Sequence, residues 1–416
     1  MIQPEDLINY VHKPDAAYDW TQRETYRRET ATVYDLHLVS QIWQAIRWTH
    51  RLQVFLPDHL EFPDTVLLYN TGGAGGELET GIGALLAQAT GTICAFLFHV
   101  PNQPLFDDLS EDALIAHTLV QYLDTGDVEW PLLFPMAKSV TRAMDAVQAL
   151  ADREGWAKID RFLITGASKR GWTAWLTAAA DARVVGIAPM VFDNLNFFAQ
   201  MPHQIEVWGG YSEQIGDYTE QNLQEKMNTE RGFHLTRVID PYTYRDRLGL
   251  PKLIINGSND RYWATDALNL YWDALLPPKW VLYVPNSGHS LEDYTRVFHA
   301  CTAFTRAVAA GRALPHLEWS FAPSADSLRL TVTADTEAKE ARIWVARAAT
   351  KDFRASRWEA VPMRRESAPE GHAAALVGEV ETPASGYLAA FGEVAFTQEE
   401  GRPFTLSTQP SIVGSR

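Results

Sequence analysis

Between residues 32 and 311 the chain alternates short apolar runs with stretches of helical period, which predicts a largely parallel sheet with helices on both faces. Residues 32–39 and 47–56 alternate with period two and read as an antiparallel opening pair. Continuous apolar runs at 65–69, 92–98, 162–165, 184–192, 252–256 and 280–284 read as buried strands. Helical spacing marks 79–89, 135–153, 168–180, 265–275 and 291–310. The second of these carries Met136, Val140, Met144, Val147 and Leu150 on one face and ends at Gly155, which suits a C-terminal cap.

Two segments break the rhythm. Residues 194–250 are long, aromatic and polar, and an insertion of that size in a parallel α/β fold predicts a lid. Past Gly311, 317–321, 327–334, 341–346, 358–361 and 387–396 read as strands joined by polar turns, the pattern of an all-β sandwich of immunoglobulin or fibronectin type. The expected organisation is an N-terminal arm (1–31), an α/β core (32–193 and 251–311), a lid (194–250) and a β-sandwich tail (312–416). The arm is expected as surface chain or short helices lying on the core.

Composition narrows the function more than the fold. Thirty-six Lys and Arg against 52 Asp and Glu leave a formal charge of −16, which repels phosphate backbones and disfavours nucleic acid as a partner. No apolar run approaches the roughly 20 residues of a membrane-spanning helix. The first residues lack a basic cluster and an apolar stretch, so no secretory signal is read there. The expected compartment is cytoplasmic, or an exported one if a signal has been removed. Cys94 falls in a predicted strand and Cys301 in a predicted helix. They read as buried thiols rather than a disulfide, without metal-ligand spacing. No metal or organic cofactor is implied.

The strongest chemical signal is Gly166-Ala167-Ser168-Lys169-Arg170-Gly171, where a predicted strand turns directly into a helix. In a nucleophile elbow such a turn lifts a serine hydroxyl to the carboxyl edge of the sheet. The close crossing of strand and helix demands small residues on both sides. Gly166 supplies one, but Arg170 stands where the second is usual, and the glycine is delayed to Gly171. Arg170 must turn its side chain away, or the turn widens. Taken alone, Ser168 also suits a plain helix N-cap.

The wider spacing favours the nucleophile. Asp260 follows the predicted strand 252–256, and His289 sits in a glycine-containing loop after 280–284. The order Ser168, Asp260, His289, each at a strand's carboxyl end, is that of a hydrolase triad. Asp193, closing the preceding strand, is a rival acid. Gly72, Gly73 and Ala74, after strand 65–69, are candidates for one oxyanion amide, with Lys169 supplying the other. A phosphate-binding loop is the competing reading, though the Gly-Lys-Ser/Thr ending is absent, and a flexible turn is the plain one. Arg170, Trp172, Trp208 and Trp263 are expected around the substrate pocket.

These segments resemble the PhoPQ-activated pathogenicity-related proteins. The likeness is carried by Gly166-Ala167-Ser168-Lys169-Arg170-Gly171-Trp172-Thr173, Ala188-Pro189-Met190-Val191-Phe192-Asp193, Ile239-Asp240-Pro241-Tyr242-Thr243-Tyr244 and Tyr283-Val284-Pro285-Asn286-Ser287-Gly288-His289-Ser290. It is read over nearly the whole chain, including Trp130-Pro131-Leu132-Leu133 and the β-rich tail, with Asn194 a departure from the family's usual aliphatic residue. The resemblance implies an α/β-hydrolase core followed by a β-sandwich. It also implies that Ser-Lys-Arg-Gly is the family's own form of the elbow, and that Ser168, Asp260 and His289 fill the triad roles. The function expected is a serine hydrolase cleaving an ester or amide through an acyl-enzyme, its partner a small-molecule or peptide substrate. A peptidase of aminopeptidase type and a catalytically silent binding or signalling protein are the alternatives. Oligomer contacts, if made, are expected through the tail or lid.

Overall fold

Alternate residues of one short strand explain the layering. In Thr92–Leu97, Ile93, Ala95 and Leu97 join the core that contains helix Leu133–Glu154, whereas Cys94 and Phe96 join the core that contains Glu77–Thr90 and Tyr294–Ala309. A strand covered on both faces needs apolar residues at every position, so its sequence is a continuous apolar run. The structure, a computed structural model, describes residues 1–324, 326–398 and 401–415.

The core strands are β1 (Asp19–Arg28), β2 (Ala31–Trp43), β3 (Ile46–Pro57), β4 (Phe62–Asn70), β5 (Thr92–Leu97), β6 (Arg161–Ala167), β7 (Val184–Met190), β8 (Lys252–Gly257) and β9 (Lys279–Val284). They lie side by side in the order β1-β2-β3-β5-β4-β6-β7-β8-β9. β1 to β3 are antiparallel, β3 meets β5 antiparallel, and every step from β5 to β9 is parallel. The carboxyl ends of β6, β8 and β9 therefore point the same way, and the loops after them gather at one rim.

Three elements differ from the sequence expectation. The arm begins with the short helix Pro4–His12, buried through Leu7, Tyr10 and Val11, and then, where no strand is expected, forms the edge strand β1. β1 is polar and largely exposed, so no apolar period marks it. The expected helix at 265–275 is instead two short 3₁₀ turns, Ala267–Leu270 and Trp272–Ala274. Its Asn, Tyr, Trp and Asp residues are weak helix formers, and Tyr271 is drawn aside by a hydrogen bond to Asp193. Helix Glu111–Thr125, which no expectation covered, packs against the insertion between β7 and β8. That insertion is mainly helical, with Phe197–Trp208 and Glu230–Ile239 its longest elements.

The tail forms two antiparallel sheets. One joins Leu317–Pro323, Ser327–Ala334, Ala374–Glu381 and Arg364–Glu366; the other joins Pro403–Ser407, Tyr387–Thr397, Glu340–Ala348 and Glu359–Pro362. They face each other where Gly392 makes room for Leu330 and Gly378 for Ile343. The second sheet is not separate from the core. Ser407 pairs with Val281 of β9, so one sheet runs from the α/β core into the tail.

Candidate active site

At the end of β6 the backbone makes the turn on which the site depends. Ser168 has φ 59° and ψ −125°, a strained conformation for a residue with a side chain, and its N–H donates to Met190 O at 2.8 Å. The surrounding packing enforces the strain. A Cβ on Gly171 would lie 2.9 Å from Met190 O, and one on Gly166 would lie 2.6 Å from Asn70 Nδ2 and 2.8 Å from Arg170 O. Asn70 Nδ2 donates to both Thr165 O (2.9 Å) and Arg170 O (3.2 Å), tying the strand before the turn to the helix after it.

Arg170 does turn away from the crossing. Its guanidinium lies on Gly72, where any side chain would overlap it, and forms a bidentate pair with Glu111 at 2.6 and 2.7 Å. Nε donates to Val100 O at 2.5 Å. Burial alone would raise the Glu111 pKa, but the two bonds from Arg170 hold it down to about 2. Arg170 is thus a strut between the elbow, the 72–74 turn and helix Glu111–Thr125, not a pocket wall.

The three residues picked out by chain order meet at the rim. His289 Nε2 lies 2.9 Å from Ser168 Oγ, and His289 Nδ1 lies 2.8 Å from Asp260 Oδ2. Asp260 Oδ1 accepts the Tyr262 N–H at 2.8 Å, which fixes the carboxylate plane. Asp193 takes no part in this chain of contacts. It is fully buried, with Oδ1 accepting from Tyr271 Oη at 2.6 Å and Oδ2 from Tyr283 Oη at 3.4 Å. Burial, and then the nearby charge of Asp260, push its pKa up to about 7.

Ser168 opens on a cavity of about 350 Å³ between the core and the insertion. Its walls are mostly apolar, including Trp172, Phe192, Phe197, Met201, Ile205 and Trp263. Trp172 stacks on Phe192 (5.0 Å between centroids) and is pinned by donating Nε1–H to Ile239 O. One polar cluster interrupts the wall. Asp112 accepts from Lys169 Nζ (2.9 Å), Tyr218 Oη (2.9 Å) and Tyr262 Oη (3.3 Å). Among the described residues, no three His, Cys, Asp or Glu side chains gather as metal ligands do, and no helix is long and apolar enough to cross a membrane.

Of the pocket residues expected from sequence, Trp172 and Trp263 line the cavity and Arg170 and Trp208 do not. Trp208 lies instead under the guanidinium of Arg354, 4.2 Å from its ring centroid. Residues 72–74 are not in the cavity wall either, whereas Lys169 is. Sequence reasoning passed over Asp112, Tyr218 and Tyr262. Ser110-Glu111-Asp112 before the apolar period Leu114, Ile115, Leu119, Tyr122 is a readable helix start that would have placed Asp112. Both cysteines are free and buried.

A parallel sheet with its serine on a strand-to-helix turn and the other two residues on later strand ends defines an α/β-hydrolase fold. The chain belongs to the PhoPQ-activated pathogenicity-related protein family, whose model matches residues 7–354. The match stops short of most of the tail strands, so the likeness covers less of the tail than the sequence reading gave it. The chain is also 33% identical, over 340 residues, to Autocrine proliferation repressor protein A of Dictyostelium discoideum, an alignment spanning 77% of this chain and 68% of that protein. Among solved structures it is similar to an acetyl xylan esterase from Paenibacillus sp. R4 (17% identity, TM-score 0.48, 71% of this chain and 91% of that one). It is also similar to acetyl xylan esterase 1 from Thermoanaerobacterium sp. JW/SL YS485 (13%, TM-score 0.46, 74% and 94%).

Proposed function

We propose that the chain is a serine hydrolase that cleaves carboxylic esters with an apolar acyl group. The observation that carries this is the continuous contact from Asp260 through His289 to Ser168, opening directly on an apolar cavity. Ser168 Oγ attacks the carbonyl carbon while His289 takes its proton. The tetrahedral intermediate then collapses as His289 returns that proton to the departing alkoxide, leaving an acyl-enzyme. Water repeats the sequence and releases the acid. Asp260 holds the imidazole with Nδ1 protonated and stabilises the imidazolium. The Lys169 amide begins its helix, has no intrahelical acceptor, and supplies one oxyanion donor. The 72–74 turn, braced through Arg170, is the candidate for the second.

Ester is favoured over peptide by the state of Asp112. An aminopeptidase needs an open carboxylate to hold the substrate's ammonium, and both oxygens of Asp112 are already occupied. A fluorophosphonate probe tests the nucleophile: labelling of the folded chain that is lost in Ser168→Ala supports it. A panel of p-nitrophenyl esters beside aminoacyl p-nitroanilides tests the bond, with faster turnover expected for medium acyl chains than for acetate and none for the anilides.

The name of the Dictyostelium relative, a proliferation repressor, favours a second reading as a signalling protein that keeps the fold. A folded wild-type chain that takes no probe would favour that reading over the first.

A further inference from the structure

Two asparagines beside the candidate triad reach out of the core and into the tail. Asn259, next to Asp260, directs Nδ2 at the carbonyls of Phe353 (3.2 Å), Arg354 (3.3 Å) and Ser356 (2.7 Å). Asn286, three residues before His289, donates Nδ2–H to Trp358 O at 2.9 Å and accepts the Trp358 N–H at 2.7 Å. One tail loop, residues 351–358, therefore holds both loops that bring the acid and the base to Ser168.

The two loops are also fastened to each other. The Asn259 N–H donates to Ser287 O and the Asn286 N–H to Ser258 Oγ, each at 2.9 Å. A side chain on Gly257 would overlap the carbonyls of Ser287 and Gly288, so the glycine permits this approach. The tail loop is itself rigidly seated. Phe353 and Trp358 are buried, and Trp358 packs on Phe391, which in turn packs on Tyr283 of β9. From the same loop Lys351 pairs with Glu206 at 2.8 Å, and Arg354 pairs with Glu213 at 2.7 Å while lying over Trp208. Those three partners belong to the insertion that roofs the cavity.

We propose that the tail is a working part of the active site, with Asn259 and Asn286 as positioning residues through which loop 351–358 sets the Asp260–His289 geometry. The ion pairs to the insertion are partly exposed and contribute little each. The asparagines matter more, because removing either leaves main-chain groups of a seated loop without partners and releases a catalytic loop. A misplacement of about 1 Å at such a site is enough to cost about 100-fold in rate. The proposal rests on the serine-hydrolase reading above.

The test uses the full chain. Wild type, Asn259→Ala and Asn286→Ala are compared for the rate of fluorophosphonate labelling from about pH 5 to 9, the range in which an imidazole titrates, with thermal unfolding followed alongside. The expected result is a labelling rate lowered about 10- to 100-fold in each variant. Its pH profile should also change shape, because the group that takes the serine proton is no longer held in one setting. A loss of folded fraction alone would scale the rate alike at every pH where the chain is equally folded, and that outcome overturns the proposal. So does a wild-type rate in folded variants. Should the alanine variants not fold, Asn259→Ser and Asn286→Ser, which carry no charge and lose the amide donors, take their place under the same criteria. A wild type that takes no probe overturns the serine-hydrolase reading and this proposal with it, whereas labelled wild type with unchanged variants overturns this proposal alone.

Discussion

The ring of Tyr262 lies against the imidazole of His289, centroids 4.1 Å apart, while the Tyr262 backbone N–H holds the Asp260 carboxylate. One residue thus touches both members of the pair, and its hydroxyl reaches Asp112 in the cavity wall. Tyr262→Phe keeps the ring and the amide and should retain ester turnover within about threefold. Tyr262→Ala removes the platform and should lower kcat about tenfold, since a slack imidazole spends less time in attacking geometry. Steady-state kinetics on one p-nitrophenyl ester compares them.

The two candidate acids separate by pairing a kinetic with a stability measurement. Asp260→Asn should reduce kcat about 10⁴-fold, the loss expected when the imidazole is held in the wrong tautomer. Asp193→Asn should leave kcat within a few fold. It should instead change the pH dependence of stability. Asp193 has a folded pKa of about 7, pushed up by burial, above its unfolded value near 3.8. A raised folded pKa gives a contribution that is present in acid and lost as pH rises toward 7. Denaturant unfolding of Asp193→Asn should therefore show a flatter profile than wild type between about pH 4 and 7. A steep kcat loss in Asp193→Asn with none in Asp260→Asn would reverse the assignment.

Arg170→Met should destabilise the fold by about 1–3 kcal/mol, the range for hydrogen bonds to a charged group, reduced here because Glu111 is partly exposed. The sign at low pH follows from Glu111. Its folded pKa, about 2, lies below the unfolded value near 4.5. It therefore stabilises above that value and loses the contribution as pH falls through about 2. Wild type should lose more stability than Arg170→Met on acidification across this window. Parallel acid profiles would show that the pair is not coupled as drawn.

Burial pushes both thiols up to about 12, so neither Cys94 nor Cys301 presents a thiolate at neutral pH. Iodoacetamide should leave the native chain unmodified and alkylate both residues once denaturant is added. Mass spectrometry before and after unfolding reads the difference.

The sequence carried the sheet well because strands buried on both faces must be apolar throughout, and β4 to β9 are of that kind. The proximity of the three candidate residues was legible for a related reason: each is anchored to the end of such a strand, so order along the chain becomes position on a rim. What the sequence hid was set by contacts across distance. β1 is an exposed polar strand identified only by its partner β2. Tyr271 leaves its expected helix for Asp193. Trp208 reads as a pocket aromatic but is held by Arg354, almost 150 residues further on. Asn259 beside Asp260 and Asn286 in the loop before His289 carry no sign in the sequence of the tail main chain they bind.

The strand pairing between Val281 and Ser407 bears on how the molecule can be divided. A chain ended near residue 311, at the border that composition suggests, would uncover the outer, apolar edge of β9, which would then be paired on its β8 side alone. Such edges recruit whatever extended chain is at hand, and the product of truncation is self-association. Crystallographers or engineers wanting a minimal α/β core should keep the C-terminal strands, or blunt β9 with lysine before removing them.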